Sequence, residues 1–150
     1  MTYADRAVAE MDRGYNCAEA MLRAFAPSLG MPDEATRVAT PFGGGLSRTG
    51  HVCGLVSGAA MAIGWAFGRT DPDDQRAKDA AYAAVGRLAS EIEASRGSTT
   101  CFGILGVDLR DASSRIRAES ERLYESHCRP VAREIAGIVE RLLQAAGAIQ

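Results

Sequence analysis

Lysine is nearly missing from this 150-residue chain: Lys78 stands alone, and arginine carries almost all the positive charge. The arginines are scattered and the formal net charge is -2. No basic stripe or patch invites nucleic acid or an anionic lipid surface, which argues against both as partners. Alternating apolar and polar residues are rare and β-branched residues sparse, so a β architecture is not expected. The N-terminal Met1-Thr2-Tyr3-Ala4-Asp5-Arg6 has no basic region followed by an apolar run, the pattern of a secretory signal. The longest apolar stretch, Val52 to Phe67, falls short of the roughly 18 residues that span a bilayer. Repeats, low-complexity tracts and long linkers are also lacking. These absences lead to the expectation of a cytoplasmic, single-domain protein over residues 1–150.

Helical spacing fills the space that strands leave. Ala4, Ala7, Val8 and Met11 form one apolar stripe, and Ala18, Met21, Leu22 and Phe25 a second. Pro32 with Asp33 and Glu34 starts a third, short helix that stops at Pro41. The segment 52–67 has no polar face, so as a helix it must be surrounded by others. Gly54, Gly58 and Ala62 lie four apart on it, and small residues at that spacing let another backbone approach closely. Asp71-Pro72-Asp73-Asp74 reads as the start of a long helix that ends at Arg96-Gly97. Asp111 opens a polar helix through about Tyr124, and Val131, Ile135, Ile138, Val139 and Leu142 mark the last helix. Trp65 and Phe67 are expected in the core. The predicted fold is an all-α compact helical bundle around a central apolar glycine/alanine-rich helix (about 52–67).

Four cysteines, Cys17, Cys53, Cys101 and Cys128, carry the functional signal. No two form a C-x-x-C pair, so the usual zinc-finger and thioredoxin signatures are absent. In a reducing cytosol, cysteines outside such motifs still point to metal binding or redox chemistry before structural disulfides. Their positions say more than their spacing. Asn16 and Glu19 flank Cys17 as a capping box would. Cys53 opens the apolar helix, Cys101 follows the capping cluster Ser98-Thr99-Thr100, and Cys128 precedes Pro130. All four are expected at helix N-termini, where free amides and the macrodipole favour a thiolate. The bland alternative is that each is a small core residue.

His51 and His127 each lie beside a cysteine and could add a nitrogen ligand or move a proton. Gly43, Gly44 and Gly45 allow left-handed backbone and close approach of a ligand, and Arg48 could hold an anion or a thiolate. The loop lacks the lysine and the preceding strand of a P-loop. Ser57 has no nucleophile elbow around it, and helix capping accounts for Asp71, Asp73 and Asp74.

Gly14-Tyr15-Asn16-Cys17-Ala18-Glu19-Ala20, Phe42-Gly43-Gly44-Gly45, Cys53-Gly54, Cys101 and Cys128, taken in order, resemble the redox-active C_GCAxxG_C_C family. The resemblance runs roughly from Gly14 to Val131. It departs from the family's named motif at Cys53, where Gly54 follows and no alanine stands beside the cysteine. It implies a small helical domain with a four-cysteine redox site. A related domain occurs attached to a haem-bearing region in split-Soret-type cytochromes, which implies electron-transfer company. The chain has no C-x-x-C-H site for covalent haem.

Residues and resemblance together lead to three readings. In the first, Cys17, Cys53, Cys101 and Cys128 ligate an iron–sulfur cluster or cycle between dithiol and disulfide, serving a redox partner protein or a small thiol or electron donor. In the second, they hold a structural zinc ion. In the third, the glycine loop, Arg48 and His51 bind a small anionic ligand. Alanine-rich helix faces leave a homodimer open.

Overall fold

Two capping boxes start the fold. In the computed structural model, which describes residues 1–150, Thr2 and Asn16 each accept a hydrogen bond from the amide three residues on. Asp5 and Glu19 reach back to the cap amides, opening α1 (Tyr3–Asp12) and α2 (Cys17–Phe25). α2 runs into a 3₁₀ turn, Ala26–Leu29, which ends at left-handed Gly30. The segment expected as a third α-helix is instead a 3₁₀ helix, Asp33–Phe42, with Pro41 inside it. At ten residues it is long for a 3₁₀ helix, a form that rarely runs beyond three or four.

α3 (Gly43–Leu46) is a brief turn in the glycine loop, followed by the apolar α4 (Gly54–Phe67) and the long α5 (Gln75–Arg96). The cap of α5 is Asp74, which accepts from Ala77 N at 3.0 Å, three residues later than the Asp71 cap that the sequence suggests. Asp71 instead accepts from the Asp73 amide at 2.9 Å, forming the turn that leads in. α6 (Cys101–Leu105), α7 (Ala112–Ser120) and α8 (Arg129–Ala145) complete the chain. The expected helix from Asp111 to Tyr124 breaks at Arg122, whose φ of 54° is left-handed. The fold is all-α; its one β feature is a single antiparallel bridge between Val52 and Thr100. No helix is long and apolar enough to cross a membrane.

α4 sits at the centre, packed on α2, α5 and α8. Its small residues act as their spacing implied. A Cβ on Gly58 would overlap the Ala18 carbonyl oxygen and lie 3.1 Å from Met21 Cβ. One on Gly54 would lie 3.0 Å from Ala18 N and 3.2 Å from Cys17 Cβ. The backbones of α2 and α4 therefore touch, which sets Cys17 beside the start of α4. Trp65 departs from the expected core placement. It is 49% exposed, and its indole N–H donates to the Leu29 carbonyl at 3.2 Å.

The buried side chains fall into two groups. The larger holds 25 residues from α1, α2, α4, α5, α8 and their connections, Cys53 among them. The smaller holds Cys101, Leu105, Val107, Leu109, Ala118 and Cys128. Half-buried Met11 and Cys17 pack against both. A surface groove lined by Phe67, Ala77, Ala80 and Leu142 lies at the far end of α4, about 20 Å along the helix from Cys53.

Candidate redox site

Each cysteine is held by a different local device. Cys17 is the first residue of α2. Its position is fixed by the Asn16–Glu19 capping box and by two ties to the 3₁₀ helix. Asn16 Nδ2 donates to the Thr40 carbonyl at 3.0 Å, and Thr40 Oγ1 donates to Glu19 Oε1 at 2.6 Å.

Cys53 and Cys101 are placed by the Val52–Thr100 bridge. Cys53 N donates to the Thr99 carbonyl at 2.8 Å, and Cys101 N donates to the His51 carbonyl at 2.7 Å. Side chains alternate along extended backbone, so Val52 and Thr100 share one side while Cys53 and Cys101 share the other. On that side they are diagonal neighbours, a relation with a Cα separation of about 7–8 Å. Cys53 caps α4 and Cys101 begins α6.

Cys128 departs from the expectation. It does not sit at a free helix start but ends a π-helical turn, Tyr124–Cys128, that continues directly into α8. Pro130 accounts for the wide turn: it has no N–H to donate, and its ring would clash with the carbonyl one turn back. Arg129 N therefore reaches to the Tyr124 carbonyl, five residues back, giving a π-turn of the kind often found at functional sites. An Arg129–Asp12 ion pair fastens this junction to the end of α1.

The glycine loop forms a cover. From Gly44 to Arg48 five consecutive residues are left-handed, with φ between 51° and 68°. Three of them, Leu46, Ser47 and Arg48, carry side chains and resist this conformation. Gly45 is needed for contact as well as for φ. A Cβ there would lie 2.6 Å from Cys101 Cβ and 2.5 Å from the His51 carbonyl oxygen. On Gly43 it would lie 2.6 Å from the Asn16 side chain. The loop thus packs on the residue that caps the Cys17 helix and on Cys101 itself.

All four cysteines are reduced. Cys17 packs against the smaller group, of which Cys128 is a member. The Cys17 thiol is raised well above its ordinary range, by the neighbouring Cys128 first and by enclosure second. Burial first, then the nearby Cys17, push Cys53 up to about 12. The amides of Leu55 and Val56 at the start of α4 pull the other way and lose. Burial, then Cys17, raise Cys101 to about 11. Helix starts were expected to favour thiolates. Here desolvation and neighbouring sulfurs outweigh the helix-end amides, and no cationic side chain acts on Cys17 or Cys101 to offset them. At neutral pH these three are neutral thiols.

Four thiols are soft donors suited to zinc or an iron–sulfur cluster. Their arrangement does not fit either: nowhere do three or more His, Cys, Asp or Glu side chains gather as a group that could hold a metal ion. His51 contributes its backbone to the site, while its exposed ring turns to Thr49 Oγ1 at 3.2 Å. The His127 ring is exposed, lies 2.8 Å from Ser126 Oγ, and lines a small pocket with Arg96, Gly103 and Ile104. The Arg48 side chain is exposed.

Tyr124 was not singled out from the sequence. It packs against the smaller core, and burial, then Cys128, Cys101 and Cys17, raise its phenol. The available signal was its place four residues before Cys128 in a helical segment, on the same face.

Fold and site define a helical four-cysteine protein in which Cys53 lies in one buried group, Cys101 and Cys128 in the other, and half-buried Cys17 packs against both. The chain matches the family described as "Putative redox-active protein (C_GCAxxG_C_C)" over residues 15–142, and it belongs to that family. No curated protein and no solved structure matches the chain.

Proposed function

We propose that this protein is a thiol-based reductant whose working pair is Cys17 and Cys128. The observation that carries this reading is the packing of half-buried Cys17, at the start of α2, against the smaller core that holds Cys128 on the π-turn before α8, two residues 111 positions apart in the chain. The pair gives two electrons and two protons to a disulfide acceptor, either a small molecule or a partner protein. One S–S bond forms between Cys17 and Cys128, the acceptor's S–S bond breaks, and two acceptor thiols leave. Dithiols become strong oxidants when a low pKa stabilises their reduced form. The Cys17 thiol is shifted the opposite way, so the pair lacks that oxidising feature. A reducing compartment such as the cytosol would regenerate the dithiol.

The test is a titration against graded ratios of reduced and oxidised glutathione, with thiol counting and mass mapping of the bridges. The expected result is joint loss of two thiols and a Cys17–Cys128 bridge. Cys17→Ser and Cys128→Ser should each abolish that bridge. Iron, zinc and acid-labile sulfide are measured on the same anaerobically purified protein. Stoichiometric metal, or no intramolecular bridge at any ratio, would overturn the reading.

A further inference from the structure

Two thiols suffice for the proposed reaction, yet the fold divides three buried cysteines between its two buried groups, and Cys17 alone of the four packs against both. Cys53 belongs to the larger core, while Cys101 and Cys128 belong to the smaller. Cys17 stands at the seam. On one side it packs against the smaller group, which includes Cys128, and on the other its Cβ lies 3.2 Å from where a Cβ on Gly54, at the start of α4, would stand. Cys53 is the residue immediately before Gly54.

We infer that Cys17 is a pivot that exchanges its disulfide between Cys128 and Cys53. In the exchange the Cys53 sulfur attacks Cys17 of the Cys17–Cys128 bridge. A Cys17–Cys53 bond forms, the Cys17–Cys128 bond breaks, and Cys128 leaves as a thiolate that takes up the proton lost by Cys53. Electrons balance within the protein, and no outside oxidant enters this step. Cys53 is chosen over Cys101 because Cys101 stands under the glycine loop, its Cβ packed against Gly45, whereas Cys53 lies on the helix whose backbone touches that of α2. The exchange moves the oxidised bond from the smaller core toward the larger and returns Cys128 to the free thiol. High thiol pKa values make it slow near neutrality and faster as pH rises, since only the thiolate attacks.

This inference rests on the dithiol reading, and one experiment separates the two. The intact protein is oxidised with oxidised glutathione, quenched by alkylation at intervals, and mapped by mass spectrometry. The expected order is Cys17–Cys128 first, then Cys17–Cys53 at constant thiol number, with the second step accelerated at higher pH. In Cys128→Ser, a glutathione adduct on Cys17 should be displaced by Cys53, leaving Cys17–Cys53 and free glutathione. In Cys17→Ser, both bridges should be lost. A persistent Cys17–glutathione adduct in Cys128→Ser overturns the pivot, as does a Cys53–Cys101 bridge with Cys17 free. If wild type forms Cys17–Cys128 and never exchanges it, the pivot fails while the dithiol reading stands. If it forms no bridge at all, both fall.

Discussion

The two buried groups are built in opposite ways. The larger one is ordinary helix packing: its 25 members come from regular helices and their connections, with Phe25 stacked on Tyr3 at 4.5 Å between ring centroids. The smaller one has six members, two of them cysteines, and irregular backbone surrounds it: the left-handed run over Gly44–Arg48, the lone Val52–Thr100 bridge, the reversed Arg122 and the π-turn. A group of six residues buries too little apolar surface to order such backbone alone. The contrast assigns stability to one end of α4 and its surroundings, and chemistry to the seam beside its first turn. Strain and wide turns gather where reactive groups sit, as they do at functional sites generally.

The largest effect should come from the larger core. Phe25→Ala removes a fully buried ring and should cost about 3–5 kcal/mol in denaturant unfolding. Leu105→Ala in the smaller core should cost less, about 2 kcal/mol, yet change the rate of thiol oxidation, which Phe25→Ala should leave alone in the folded fraction. Equal stability losses with no change in oxidation would break the comparison.

Alkaline pH should bring an effect of comparable size, complete only toward pH 12. Cys53 and Cys101 titrate near 9 when unfolded and at about 12 and 11 when folded. Above pH 9 the unfolded chain releases these protons while the folded one keeps them. Stability should therefore be full below pH 9 and fall as pH rises toward 11–12, by about 1 kcal/mol per pH unit per thiol. Cys53→Ala should make the decline shallower. A flat profile between pH 9 and 11 would show that the thiols are not buried as described.

The smallest effect should come from the cover. Leu46→Gly relieves a left-handed residue with a branched side chain. It should stabilise the fold by roughly 0.5–1 kcal/mol after the added flexibility of the unfolded chain is subtracted. Thermal unfolding checks the sign, and a loss of stability would mean that the exposed Leu46 side chain makes contacts outweighing its strain.

What could be read from the sequence follows the same division. The helices of the larger core were legible because their apolar residues recur with helical spacing and their caps are polar. Gly54 and Gly58 announced that another backbone approaches α4 closely, though not that it is the backbone of α2. The site was legible as four cysteines and a glycine loop, but not as a geometry. Nothing in Pro130 alone distinguishes the first turn of a new helix from a π-turn inside a continuous one. The thiol ionisation was read the wrong way because a capping position is visible in sequence and the burial that overrides it is not. Tyr124 was missed for a related reason: it looks like the end of a polar helix until the chain folds it onto the cysteines.

The π-turn has a further consequence for the last helix, one of phase. An α-helix advances about 100° per residue, so the one extra residue in the wide turn offsets everything before it by about that angle from everything after. Downstream, Val131, Ile135, Ile138 and Val139 keep a face for the larger core. Upstream, Leu123 and Tyr124 are set to the smaller. The inserted residue lets one unbroken rod address two cores at once, with Cys128 at the point where the phase changes.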